Sequence, residues 1–168
     1  MKKVLFPGSF DPITYGHMNV IEQALNIYDK VIVAVMVNSR KNSGWFSLEE
    51  RKNLISEIYK DNPKVEVIAI EGKIAAVDVA LENGCTTMVR GLRHLTDFDE
   101  ELQNNELNLI LGEGKVTTIA LFANPKTIAI SSSKVKEVFS LGKSIDPFVH
   151  PCVKDAIIRK FTKEEFKW

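Results

Sequence analysis

The run Val31-Ile32-Val33-Ala34-Val35-Met36-Val37 is apolar without a break and rich in β-branched residues. It shows no alternation, so it leaves no face for water. Such a run predicts a strand covered on both sides, as in a parallel sheet flanked by helices. The rest of the chain supplies the other layers. Val4-Leu5-Phe6 reads as a strand and is followed by an apolar-periodic stretch over 18–28, a helix. Ser47 and Glu50 stand in capping-box spacing and open a helix that runs to about Tyr59, before Asn62-Pro63. A strand over 65–70, a helix over 74–83 with Gly84 just beyond its end, and a strand over 86–89 come next. A longer helix over 97–111 stops at Gly112, a fifth strand covers 116–122, and short helices cover 132–140 and 151–161. The terminal residues 163–168 read as a fraying end.

Five strands separated by helices predict an α/β fold: a single doubly wound five-stranded parallel sheet, Rossmann-like, with C-terminal helices. The 168 residues suit one domain, 1–168, with one substantial core. In such sheets ligands bind beyond the carboxyl ends of the strands. Lys plus Arg total 22 and Asp plus Glu total 22, so the basic excess of a general nucleic-acid or membrane-surface binder is absent. A local basic pocket remains open to the chain. The apolar stretch before Pro7-Gly8 is shorter than the about 7–15 residues of a signal-peptide core, and no run reaches the ~18 of a membrane span. A cytoplasmic location is expected. Cys85 and Cys152 match no metal spacing and read as free thiols of a reducing compartment, with a disulfide as the alternative.

The loops at the predicted strand ends carry the polar residues that need a purpose. After the first strand comes Gly8-Ser9-Phe10-Asp11-Pro12-Ile13-Thr14-Tyr15-Gly16-His17. Thr14 can cap the following helix, whose start presents unpaired N–H groups and partial positive charge suited to a phosphate. His17 and Ser9 add side-chain donors to the same place. Neither the Gly-x-Gly-x-x-Gly dinucleotide fingerprint nor the Gly-x-x-x-x-Gly-Lys-Ser/Thr phosphate loop occurs, which disfavours an NAD enzyme or an ordinary P-loop ATPase. Lys41 follows the second strand and can place an ammonium over a phosphate, or be a solvated loop charge. Arg90-Gly91-Leu92-Arg93 follows the fourth strand with two guanidinium forks that match phosphate oxygens, surface ion pairing being the other reading. Ser131-Ser132-Ser133 enters a helix after the fifth strand, for anion binding or for plain capping. His94 and His150 read as surface or core fillers. Trp45 and Phe46 read as a lid or a hydrophobic staple. Asp97, Asp99, Glu100 and Glu101 read as an acidic first turn rather than a metal cage.

Taken together, Gly8–His17, Lys41, Phe46-Ser47-Leu48-Glu49-Glu50-Arg51, Arg90-Gly91-Leu92-Arg93, Asp97-Phe98, Asn108 and Ile130-Ser131-Ser132-Ser133-Lys134-Val135-Lys136-Glu137 resemble the bacterial phosphopantetheine adenylyltransferases. These belong to the nucleotidyltransferase superfamily with the Thr/His-x-Gly-His signature. The first piece marks the superfamily, and the Arg-Gly-Leu-Arg, Asp-Phe and Ile-Ser-Ser-Ser pieces mark the branch. The resemblance implies transfer of the adenylyl group of ATP to 4′-phosphopantetheine, giving dephospho-coenzyme A and pyrophosphate, the penultimate step of coenzyme A synthesis. It also implies Mg²⁺ dependence, a homohexamer, and feedback by coenzyme A. Carried over position by position, Ser9, His17 and Lys41 are the expected catalytic residues. Ser9, Phe10, His17, Arg93, Glu101, Ser131, Ser132 and Ser133 are expected at ATP, with Glu101 near the ribose. Ser9, Lys41, Lys73, Ile74, Arg90 and Asn108 are expected at the acceptor. Magnesium is expected on the ATP phosphates, with no protein ligand assigned. Ser9 stands where threonine is common in the family, and Glu100 where some members carry tyrosine. The 40–45 loop is slightly long. The rival readings are another small-molecule nucleotidyltransferase, and a non-catalytic nucleotide-sensing module that releases no pyrophosphate.

Overall fold

The structure, a computed structural model, describes residues 1–37 and 44–162. Its elements in chain order are β1 (Lys3–Gly8), α1 (Tyr15–Leu25), β2 (Lys30–Met36), α2 (Leu48–Ile58), β3 (Val65–Ile70), α3 (Ala76–Glu82), β4 (Thr87–Leu92), α4 (Leu95–Leu111), β5 (Thr117–Phe122), α5 (Ser132–Ser140) and α6 (Pro151–Phe161). The five strands form one sheet in the order β3-β2-β1-β4-β5, and every pairing is parallel.

The apolar run of β2 does what its composition requires. Val31, Val33 and Val35 point into the core on one side, with Val4, Phe6, Ile21, Ile55, Val135 and Ile157. Ile32 and Ala34 point to the other, with Leu5, Val77, Val79, Ala80 and Met88. Full burial of each such side chain contributes about 1.5–3 kcal/mol, which is why a central parallel strand tolerates no polar residue on either face.

Several boundaries differ from the sequence reading. Helix α1 begins at Tyr15 rather than 18, because the Tyr15 N–H is anchored on the Phe148 carbonyl at 2.9 Å and Thr14 takes an extended N-cap conformation. It ends at Leu25, and Tyr28 closes a final turn back onto the Ala24 carbonyl at 2.9 Å. Helix α3 starts at Ala76, two residues late, and α4 starts at Leu95, two early. Strand β4 runs on through Leu92, since Arg90, Gly91 and Leu92 pair in register with Ala120, Leu121 and Phe122 of β5. Arg90 is therefore a strand residue and not a loop residue.

The strand order reverses direction between β1 and β4, the place where an open α/β sheet forms a crevice. The ladder between them is short, with Leu5 registered on Met88. Further on, Pro7 occupies β1, and the Arg90 side chain donates to the Pro7 carbonyl at 2.7 Å. A side chain thus stands where main-chain pairing gives out, and the sheet opens there. Among the described residues, no helix is long and apolar enough to cross a membrane. Both cysteines are free thiols, Cys85 buried and Cys152 partly so.

Candidate active site

The crevice is a cleft of about 370 Å³ at the carboxyl ends of β1, β4 and β5. Ser9, Phe10, His17, Arg90, Arg93, Glu101, Ser131, Ser132 and Ser133 all line it. Residues from the ends of β1, β4 and β5, far apart in sequence, thus meet, as the strand-end argument requires.

His17 sits in the first turn of α1. Its Nδ1 accepts from the Thr14 N–H at 3.1 Å and also lies 3.1 Å from the Thr14 hydroxyl. An Nδ1 that accepts from a backbone N–H carries no proton, so the neutral ring holds its proton on Nε2. Desolvation, then the charges of Arg93 and Arg90, push the imidazole pKa down to about 4. His17 is accordingly a neutral hydrogen-bond donor at physiological pH. Phe10 supports it edge-on, with ring centroids 5.0 Å apart. Phe10 has φ 47° and is 1% exposed, so its ring is a buried wedge and any nucleotide contact it makes runs through its backbone. Gly16 is needed for close approach: a Cβ there would lie 3.0 Å from the Ile130 carbonyl. That contact brings the start of α1 against the loop of the three serines.

Both arginines are held by carboxylates. Arg90 makes a bidentate pair with Glu101, at 2.7 and 2.6 Å. Arg93 makes a similar fork with Asp97, at 3.1 and 3.2 Å, and donates to the Ile130 carbonyl at 3.4 Å. Burial works to raise the Asp97 pKa, but hydrogen bonds from the Arg93 backbone and side chain outweigh it and lower it. Asp97 also accepts from the N–H groups of Arg93 and His94 and so caps α4. The forks are fixed in orientation before any anion arrives. Glu101, expected near the ribose, is bound to Arg90 here, so a ribose contact would share its oxygens with that pair.

Ser131 is the N-cap of α5 and accepts from the Lys134 N–H at 3.2 Å. The Ser132 hydroxyl donates to the Pro12 carbonyl at 2.8 Å. That bond ties the serine loop to the β1–α1 loop and leaves the Ser132 backbone N–H as its donor to an anion.

A second chamber adjoins the first and shares Pro7, Gly8, Ser9, Val37, Arg90 and Glu101 with it. Asn108 lines this chamber with Asn104, Asn105 and Thr118. Lys73 and Ile74 line neither space; both are exposed, just ahead of Ala76, which does line the second chamber. Lys41 lies outside the described residues. His94 and His150 serve as the N-caps of α4 and α6. Trp45 packs edge-on against Phe139 and at a tilt against Phe161, while Phe46 is buried.

Three charged cleft residues, Asp11, Arg51 and Lys136, stand in the motif pieces but were given no role of their own by the sequence. Asp11 accepts from the Trp45 and Phe46 N–H groups at 2.8 and 2.9 Å and from the Lys136 ammonium at 2.8 Å. Arg51 carried a readable signal. It occupies the apolar stripe Leu48-Arg51-Ile55-Ile58 of α2, where a charge demands a reason.

Residues 5–138 match the Cytidylyltransferase-like family. A phosphopantetheine adenylyltransferase of Psychromonas ingrahamii is 44% identical over 163 residues, covering 97% of this chain and 99% of that one. One of Geobacter metallireducens is 41% identical over 162 residues, covering 96% and 97%. The chain belongs to the phosphopantetheine adenylyltransferase family. As a member, it shares its fold with a solved candidate nicotinate-nucleotide adenylyltransferase of Vibrio parahaemolyticus, at a TM-score of 0.66 and 20% identity over 94% of this chain and 99% of that one. In an adenylyltransferase the crowding of hydroxyl, imidazole and guanidinium groups at a sheet's switch point has a direct use, since two phosphates must meet there.

Proposed function

We propose that this chain transfers the adenylyl group of ATP to 4′-phosphopantetheine, releasing pyrophosphate and forming dephospho-coenzyme A. The observation that carries the reading is the convergence of Ser9, His17, Arg90, Arg93 and the three serines on one cleft, in a chain 44% identical over nearly its whole length to a protein of that name.

The acceptor phosphate is a competent nucleophile at neutral pH, so no general base is required. The difficulty is bringing two anions into line. Catalysis is positioning plus stabilisation of charge on the α-phosphoryl oxygens. His17, neutral and protonated on Nε2, and the Ser9 hydroxyl donate to those oxygens. Arg90, standing at the junction of the two chambers, holds the acceptor phosphate, with Lys41 as a second cation. Arg93 and the N-terminus of α5 hold the triphosphate. Asn108 lines the space for the pantetheine arm.

Among the described residues no group of three or more His, Cys, Asp or Glu can hold a metal. Asp11, Asp97 and Glu101 are each paired with a cation. Such a donor set would suit a magnesium ion carried in on the triphosphate rather than one held by a carboxylate cluster of the protein. When bound, the ion offsets charge on the departing pyrophosphate.

The protein acts in the cytoplasm as a homohexamer with coenzyme A as a feedback ligand. The assembly is supported by α4, a 17-residue helix with no buried residue. Its Leu95, Phe98, Leu102, Leu107, Leu109, Ile110 and Leu111 are exposed, as is Phe122 at the end of β5. Such a surface calls for a partner.

The test offers the protein ATP and Mg²⁺ with 4′-phosphopantetheine, nicotinamide mononucleotide or a small alcohol phosphate, and measures pyrophosphate release. Release with 4′-phosphopantetheine in clear preference is expected. Preference for another acceptor, or binding with no release, contradicts the proposal.

A further inference from the structure

We propose that Arg51 is a positioning residue for the Ser9 hydroxyl. The inference rests on the adenylyl-transfer reading above and adds a cleft residue whose bonds run to the main chain that carries Ser9. Arg51 is only 9% exposed. Among the described residues no carboxylate lies within ion-pair distance of it. Its recorded partners are main-chain carbonyls instead, Ser47 through Nε at 3.2 Å and Ser9 through Nη1 at 2.8 Å. A buried guanidinium without a counter-ion is costly to remove from water. Leucine or methionine at this point of the α2 stripe would pack without that cost. What the guanidinium supplies is a charge-assisted bond, across 42 positions of sequence, to the peptide group that carries the Ser9 side chain.

The bond belongs to a two-point brace. Asp11, two residues beyond Ser9, accepts from the N–H groups of Trp45 and Phe46 at 2.8 and 2.9 Å, immediately before α2 begins. Arg51, one turn into α2, holds the Ser9 carbonyl. The β1–α1 loop is thereby fixed to the start of α2 on both sides of Phe10, whose positive φ of 47° is a conformation that needs such support. Ser9 serves the reaction only if its hydroxyl meets the α-phosphoryl oxygens, and a displacement of about 1 Å can cost a hundredfold in rate. The planar fork suits two carbonyls on different elements, which a lysine ammonium matches poorly.

A double-mutant cycle in the purified full chain tests this. Parent, Arg51→Gln, Ser9→Ala and the double variant are compared for kcat, KM for ATP and thermal midpoint, with Arg51→Lys alongside. Arg51→Gln is expected to lower kcat by roughly tenfold to a hundredfold while KM for ATP moves less than about threefold. In the Ser9→Ala background the same change is expected to cost under about threefold, because its target is gone. Arg51→Lys is expected to restore part of the loss. If Arg51→Gln does not fold, the cycle is run with Arg51→Lys and the same loss of cost in the Ser9→Ala background is expected. Equal costs with and without Ser9, or an unchanged kcat, overturn the proposal. A parent that transfers no adenylyl group overturns the functional reading and this inference with it, whereas an active parent with additive costs overturns the inference alone.

Discussion

At the residue scale the chemistry rests on the protonation state of His17. Thr14 occupies Nδ1, and desolvation with the charges of Arg93 and Arg90 holds the pKa down to about 4. Protonation would place a third cation beside two guanidinium groups and break the bond from Thr14. The linkage has a definite sign. The unfolded chain takes up a proton at His17 near pH 6.5 and the folded chain only near 4, so the unfolded state binds more protons between those values. Stability associated with His17 is complete above 6.5 and is lost as pH falls toward 4. We expect the urea midpoint of the parent to fall, relative to that of His17→Gln, between pH 7.5 and pH 4.5; parallel behaviour of the two proteins would contradict the assignment. Much of this residue's part was legible in the sequence, because strand, polar loop and helix follow in order. The Thr14 bond that fixes the tautomer was not, since it depends on the extended N-cap conformation of Thr14. The Phe10 ring packs inside the loop for a similar reason: a positive φ turns it inward and leaves the backbone toward the cleft it lines.

At the element scale, the ends of the elements place the site. Ser47 caps α2 by accepting from the Glu50 N–H at 3.2 Å, and Glu50 returns a bond to the Ser47 N–H at 2.6 Å. Ser47→Ala is expected to destabilise the protein by about 1 kcal/mol, read as a shift in urea midpoint with the denaturant slope unchanged. Gly8 ends β1 beneath the Phe10 ring, and a Cβ there would meet that ring at 2.8 and 2.9 Å. Gly8→Ala is expected to cost on the order of 1–3 kcal/mol and to lower kcat as well, since the displaced ring supports His17; wild-type stability and turnover in this variant would show that Phe10 has room to move. The capping box of α2 could be read directly, because its signal is local. The continuation of β4 through Leu92 could not. Residues 90–93 read as a loop from sequence, and only pairing with β5 reveals 90–92 as strand. The same limit hid the Arg90–Glu101 pair, whose partners sit 11 positions apart on a strand and a helix.

At the scale of the whole molecule, the sheet order explains both where the cleft lies and what is left bare. The reversal between β1 and β4 gathers the functional loops, while β5 forms one edge of the sheet and α4 lies beside it without a buried residue. Ile110 is 75% exposed and Phe122 80% exposed. Sedimentation at micromolar protein is expected to show an oligomer, and Ile110→Asp with Phe122→Glu is expected to reduce it to smaller species; a parent that sediments as a monomer would contradict the assembly. Net charge of zero gave no hint of the arginines and lysine in the cleft, and the carboxylates that pair with them, Glu101, Asp97 and Asp11, sit within the cleft itself, so its described lining is charge-balanced rather than basic. The alternation of strands and helices made the architecture legible, and a charge in the apolar stripe of α2 marked Arg51, whereas the bonds that tie Arg51 and Asp11 to distant main chain depend on loops folded together.

The central claim is that a neutral His17 stabilises charge as adenylyl passes directly from ATP to the acceptor phosphate. Its most direct test is dephospho-coenzyme A formation by parent and His17→Ala at saturating ATP, Mg²⁺ and 4′-phosphopantetheine, with ATP affinity measured separately. The account predicts that the parent forms product with one pyrophosphate per turnover, while His17→Ala is slower by about a hundredfold or more at nearly unchanged ATP affinity. A His17→Ala enzyme within a few-fold of the parent, or a parent that forms no dephospho-coenzyme A, would contradict it.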